Sequence, residues 1–142
     1  MHSDTAHPQP PTQIAHDHAN DHATFDFEKL DCYQAAQQFN ALVPRLVPRG
    51  HRELRDQLTR AGLSIPLNIA ESAGRSAPAD KAHFIAIARG SAMECAAIID
   101  VLLSSGITAI GLCRAARVLL IRVVQMLTKL EARCRTHAAL PR

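Results

Sequence analysis

The 142-residue sequence predicts an all-α fold, an antiparallel up-and-down four-helix bundle over residues 25–142 behind a disordered polar tail over residues 1–24. Three observations predict it. Apolar residues recur at three-to-four spacing through four separate segments. The composition is 47% hydrophobic but only 4% aromatic, without Trp, and small aliphatic side chains suit helix-on-helix packing better than a β-sandwich. Short connections bearing proline or glycine separate the segments, which makes sequential helices antiparallel neighbours.

The tail holds Pro8, Pro10, Pro11 and five histidines, with almost no apolar residues, so it buries too little surface to offset its ordering entropy. His16, His18 and His22 offer ligands to a stray divalent metal, but metal sites need ligands on a rigid frame, and a solvated tail is the better reading. The first helix is expected from Phe27 to Val43, with Cys32, Ala35, Ala36, Phe39, Leu42 and Val43 on one stripe. It should stop before Pro44, whose ring disfavours helical geometry at the preceding residue. The tandem Leu42-Val-Pro-Arg45 and Leu46-Val-Pro-Arg49, closed by Gly50, reads as a turn between helices.

The second helix is expected from His51 to Ser72, with Leu54, Leu58, Ala61, Ile65, Asn68 and Ser72 on its stripe. Pro66 lies inside it and removes the backbone bond to Gly62; an interior proline costs about 3 kcal/mol, which packing must offset. The third helix covers Asp80 to Leu103 on a stripe of Phe84, Ile87, Ser91, Cys95, Ile98 and Leu102. After Ser104-Ser-Gly106, the fourth runs from Thr108 to Arg135 on Leu112, Ala116, Leu119, Val123, Leu127, Leu130 and Cys134.

Helices three and four are apolar on more than one side. Val118-Leu-Leu-Ile121 and Val123-Val-Gln-Met-Leu127 are interrupted only by Arg122, and Phe84 to Ala88 and Ala92 to Ile99 behave alike. A bundle helix should be apolar on one stripe only, and larger exposed apolar patches mark interfaces. The expectation is a homo-oligomer built through helices three and four. No apolar run reaches the roughly 18 residues of a membrane helix, so no membrane role is expected. No secretory signal is expected at the N-terminus, which has no basic start followed by an apolar block. Cys32, Cys95, Cys113 and Cys134 are widely spaced and three of them (Cys32, Cys95 and Cys134) fall on apolar stripes, which suggests free thiols in a reducing cytoplasm.

Candidate site residues fall into two groups. Asn68, Glu71, Arg89 and Glu94 are polar residues among core-spaced apolar ones, and they read as a structural polar cluster that fixes helix register. The second group is basic. Residues 1–24 contain three acids and no Lys or Arg, so the remainder carries 16 bases against 10 acids. Arg122, Lys129 and Arg133 share one face of the fourth helix, Arg114 and Arg117 add charge to it, and Arg52 and Arg55 open the second helix. Repeated in an oligomer, these residues would give a multivalent surface for phosphate backbones, against the equally weighted reading of a solvated arginine face. No catalytic residue, cofactor or metal is expected: no phosphate-cradling glycine loop or nucleophile–base pair occurs. A di-iron bundle needs Glu-x-x-His motifs, and the nearest approach is Asp80-x-x-His83.

The stretch from Leu63 to Arg75, Leu-Ser-Ile-Pro-Leu-Asn-Ile-Ala-Glu-Ser-Ala-Gly-Arg, followed by Phe84-Ile-Ala-Ile-Ala-Arg-Gly-Ser-Ala-Met-Glu94, resembles the motif of a family of small bacterial four-helix-bundle proteins. Some members are encoded in intervening sequences of 23S ribosomal RNA genes, and a relative is the accessory variability determinant of diversity-generating retroelements. The resemblance covers residues 25–135. Ser72 stands where the family has glycine, and the His-rich tail is outside the pattern. The resemblance implies a pentameric ring and, as partners, nucleic acid and a protein such as a reverse transcriptase. Two function classes follow: a non-enzymatic oligomeric scaffold that binds RNA or DNA, or a scaffold that binds another protein or a small ligand and no nucleic acid.

Overall fold

The computed structural model describes residues 24–140; the expected tail, apart from Thr24, lies outside the described residues. A 3-10 turn at Asp26–Lys29 leads into four helices: α1 (Asp31–Leu46), α2 (Arg52–Ala73), α3 (Pro78–Ser105) and α4 (Ile110–Ala138). Each helix packs on two others, α1 on α2 and α4, and α3 on α2 and α4, while the diagonal pairs stay apart. That is the expected up-and-down bundle. Its core holds Phe39, Leu46, Leu58, Ile65, Ile69, Ile85, Ile99, Leu102, Leu120 and Leu127. Among the described residues no helix is long and apolar enough to cross a membrane.

The ends of α2, α3 and α4 shift by one to three residues from the sequence expectation, and the two ends of α1 differ for identifiable reasons. The segment at Phe27 forms the 3-10 turn, where Phe27 packs edge-on to Tyr33 at 5.0 Å, and extended Leu30 separates the turn from α1. At the other end α1 runs through Pro44 to Leu46. The proline withholds one ladder hydrogen bond, but Leu46 and the following Val47 are buried, and each such side chain contributes about 1.5–3 kcal/mol. The carbonyls left at this end find donors elsewhere: the Thr108 hydroxyl donates to Leu46 and the Arg55 guanidinium to Val47. The turn therefore begins three residues later than the prolines suggest.

Pro66 sits buried inside α2 as expected. Its missing N–H leaves the Gly62 carbonyl without a helical donor, and Asn40 Nδ2 of α1 donates to that oxygen at 2.9 Å. A side chain at Gly62 has no room, because an added Cβ would stand 2.4 Å from Asn40 Oδ1. Glycine, proline and asparagine thus form one device joining α1 to α2.

The buried stripes of α3 and α4 are rotated from the expected ones. In α3 the core takes Ala82, Ile85, Ala88, Ala92, Cys95, Ile98, Ile99 and Leu102, while Ile87 is exposed and Phe84 and Ser91 are half-buried. In α4 it takes Cys113, Ala116, Leu120, Val123, Leu127 and Glu131, leaving Leu112, Leu119, Leu130 and Cys134 half-buried. Helices apolar on several sides give periodicity little phase to read. The small residues of α3 lie where it approaches its neighbours. Cys113 thereby replaces Cys134 as the third fully buried thiol beside Cys32 and Cys95, and all four cysteines are free. Pro78 occupies the first turn of α3, where its missing N–H has no partner to lose, and Gly106 ends that helix at φ 64°.

Candidate functional site

The structure does not bring Asn68, Glu71, Arg89 and Glu94 together. Half-buried Asn68 donates through Nδ2 to the Ser64 carbonyl at 2.8 Å and to Ser64 Oγ at 3.0 Å, and Ser91 Oγ of α3 donates to the same Ser64 hydroxyl at 2.8 Å. This small chain of hydrogen bonds links α2 to α3. Glu71 is exposed and pairs with Arg75 one turn on, in a contact worth little at the surface. Glu94 is exposed on α3 and joins no ion pair among the described residues.

Arg89 reaches α4 instead. Its Nη2 stands 2.9 Å from Glu131 Oε2, and Arg135 donates to Oε1 from Nε at 2.9 Å and Nη2 at 2.7 Å. Glu131 is 7% exposed, so this carboxylate is desolvated and held by two guanidinium groups, while Arg89 Nε is buried without a partner. The sequence reading missed Glu131. The signal was present: the row Leu120, Val123, Leu127 lands next on position 131, where an acid stands in a core register.

The thiols carry no sign of reactivity. Burial pushes Cys95 from its usual value near 9 up to about 12, with the nearby Glu94 charge adding to the effect. Burial raises Cys32 and Cys113 as well. A raised thiol holds its proton, whereas a nucleophile needs thiolate. No group of three or more metal-ligating side chains occurs among the described residues.

The basic candidates separate by what they already hold. Arg55 donates from Nε and Nη2 to the Val47 carbonyl, at 3.3 and 3.1 Å, and so fastens the α1–α2 connection. Arg117 pairs with Asp100 across α3 and α4. Arg52 stands 3.7 Å from Asp56 on the same exposed helix face. Arg114, Arg122, Lys129 and Arg133 are exposed and make no ion pair among the described residues. With the rotated core stripe, Arg122, Lys129 and Arg133 lie about 150° from the centre of the buried face, by the 3.6-residue period, so they point almost straight out of the bundle.

Exposed aliphatic side chains share these outer faces. Val118 (59% exposed) and Ile121 (47%) stand on α4, and Ile87, Met93 and Val101 on α3. Between the two helices runs a groove of about 360 Å³ lined by Met93, Ala97, Leu120, Ile121 and Val124, with Asp100 and Arg117 among its walls. A second apolar pair, Leu63 (51%) and Leu67 (66%), is exposed on α2. The expected excess of apolar surface on helices three and four is therefore present, at positions outside the core.

Among known proteins, the model of one family, described as 23S rRNA-intervening sequence protein, matches residues 28–129. No curated protein matches the chain.

Proposed function

The chain belongs to the 23S rRNA-intervening sequence protein family, and from that premise we propose that it is a non-enzymatic, oligomeric helical scaffold that binds nucleic acid through an arginine-bearing surface. The observation that carries the reading is the outer side of α3 and α4, where exposed aliphatic side chains alternate with cations that join no ion pair among the described residues. Apolar patches support association of copies, and cations outside the buried core support a polyanionic partner.

The distribution of apolar residues supports head-to-tail association. A two-fold dimer applies one patch to itself, whereas a ring joins two different patches. Leu63 and Leu67 on α2 form one such patch; Met93, Val101, Val118 and Ile121 form another. A closed ring, five-membered by the family resemblance, fits this arrangement. The family's name sets its members beside an RNA, which makes a structured RNA the first polyanion to try. A partner protein such as a reverse transcriptase would add to this surface. The competing reading, a scaffold that takes a protein or small ligand and no nucleic acid, draws on the α3–α4 groove.

Binding of RNA and DNA duplexes titrated against salt separates the two. The nucleic-acid reading expects affinity that falls by orders of magnitude between about 50 and about 200 mM salt if several phosphates are contacted. Absence of binding at the lowest salt removes it and leaves the protein- or ligand-binding scaffold.

A further inference from the structure

Oligomer contact and polyanion contact compete for the outer face of α4. Arg114, Val118 and Arg122 stand in one row at four-residue spacing, and Ile121, Gln125 and Lys129 stand in the next. All six are exposed. A second copy that covers Val118 and Ile121 also covers these cations or brings them to its rim. There they need carboxylate partners rather than phosphates, and Glu94, exposed on the adjoining helix α3, offers such a charge.

The loop end of the bundle meets no such competition. Residues 45–60 hold five arginines against two acids, a formal +3 that equals the charge of the whole chain. No large hydrophobic side chain is exposed in this stretch. Arg45, Arg49 and Arg60 are exposed and join no ion pair among the described residues, and Arg52 has only its exposed contact with Asp56. The adjoining α3–α4 connection, Gly106 to Ala109, carries no acid to repel a phosphate. Its Thr108 hydroxyl is bonded to Leu46, which fixes the two connections side by side. The backbone under the arginines is held in place: Leu46 and Val47 are buried, and Arg55 grips the Val47 carbonyl. A fixed frame presents its cations without a backbone ordering cost on binding. No Phe, Tyr or Trp occurs from 45 to 60, which favours contact to the phosphate backbone over a base-stacking platform.

Resting on the nucleic-acid reading, we propose that the assembled protein docks a phosphodiester backbone on the loop end of the bundle, through Arg45, Arg49, Arg52 and Arg60, while the α4 cations serve the contact between copies. The test compares Arg45→Gln/Arg49→Gln with Arg122→Gln/Arg133→Gln. Salt-dependent anisotropy is measured with RNA duplex, DNA duplex and single-stranded RNA, beside solution mass by light scattering. All four positions are exposed, so folding is retained and circular dichroism verifies it. The loop-end pair is expected to keep the wild-type mass, to reduce the salt slope by up to about two for each subunit engaged, and to weaken binding about tenfold or more. The α4 pair should change the slope by less than half as much. Wild-type slope in the loop-end pair, or equal loss in both pairs, overturns the assignment. If wild-type protein binds none of the three probes at low salt, the nucleic-acid reading itself falls, and this assignment with it. The three probes also identify which polyanion the surface takes.

Discussion

Helices α1 and α4 pack against each other and turn similar faces inward, yet their outer faces differ in kind. Inside, α1 contributes Ala35, Ala36, Phe39 and Val43, and α4 contributes Ala116, Leu120, Val123 and Leu127. Outside, α1 shows Gln34, Gln37, Gln38 and Arg45 and no large hydrophobic residue, whereas α4 shows Val118 and Ile121 between its cations. Since both helices supply the core alike, core packing does not account for the extra aliphatic residues of α4. The difference supports the proposal that the α3–α4 side, and not α1, is the surface covered by a partner. The polar side chains follow the same division. Asn40 of α1 is committed to the backbone of α2, while Arg114, Arg122, Lys129 and Arg133 of α4 join no ion pair among the described residues.

The comparison breaks most visibly at the level of assembly. Val118→Glu with Ile121→Glu should reduce the solution mass to that of one chain, 15.5 kDa, because a carboxylate forced into an apolar interface is left desolvated. Gln37→Glu with Gln38→Glu on α1 should leave the mass as it is. If the α4 pair retains the assembly, α4 is as free of partners as α1.

Next in size is the joint between α1 and α2. Gly62→Ala gains about 1 kcal/mol in helix propensity, but the new Cβ displaces Asn40 from the Gly62 carbonyl. An orphaned buried carbonyl costs about 1–3 kcal/mol, so the net expectation in urea unfolding is a loss of up to about 2 kcal/mol. Gly90→Ala, with open space around it on α3, should instead be neutral or stabilising by up to about 1 kcal/mol. A stabilised Gly62→Ala would dissolve the proline–glycine–asparagine device.

The α3–α4 joint has its own polar fixing. Glu131→Gln should cost about 2 kcal/mol, because two guanidinium groups lose their charged acceptor. An unchanged unfolding midpoint would mean that Arg89 and Arg135 are as well satisfied by water.

How much of this was legible beforehand varies along the chain for physical reasons. The helix number, the antiparallel order, the interior proline of α2 and the apolar excess of α3 and α4 all follow from spacing and turn residues. The phase of α3 and α4 did not follow: with apolar residues on several sides, two adjacent stripes satisfy the same period. That ambiguity moved Cys134 and Leu130 outward and hid Glu131. The end of α1 was misjudged because Pro44 is a local signal, and the burial of Leu46 and Val47 that overrides it is a tertiary one. Of the residues expected in the polar cluster, only Arg89 bonds a neighbouring helix, through Glu131 of α4; Asn68 bonds Ser64 within α2, and it is Ser64 that accepts from Ser91 of α3. Asn40 could have been sought, since Pro66 announces a carbonyl at Gly62 in need of a donor.

The last effect is absent near neutral pH and shows only in alkali. Cys95 is raised to about 12 by burial, and Cys32 and Cys113 are raised with it. A thiol that stays protonated in the fold but ionises near 9 when unfolded contributes stability that is complete below about pH 9 and is lost as the pH climbs toward 12. Chemical unfolding at intervals across that range should show the decline, and Cys95→Ala should shallow it. An identical decline in the variant would assign the alkaline loss to other groups.

The central claim is that the outer side of α3 and α4 is an interface between copies of the chain. Its most direct measurement is the mass of the wild-type protein by light scattering at micromolar concentration. The account predicts a single species at a multiple of 15.5 kDa, with five copies favoured by the family resemblance. A monodisperse 15.5 kDa monomer would contradict it.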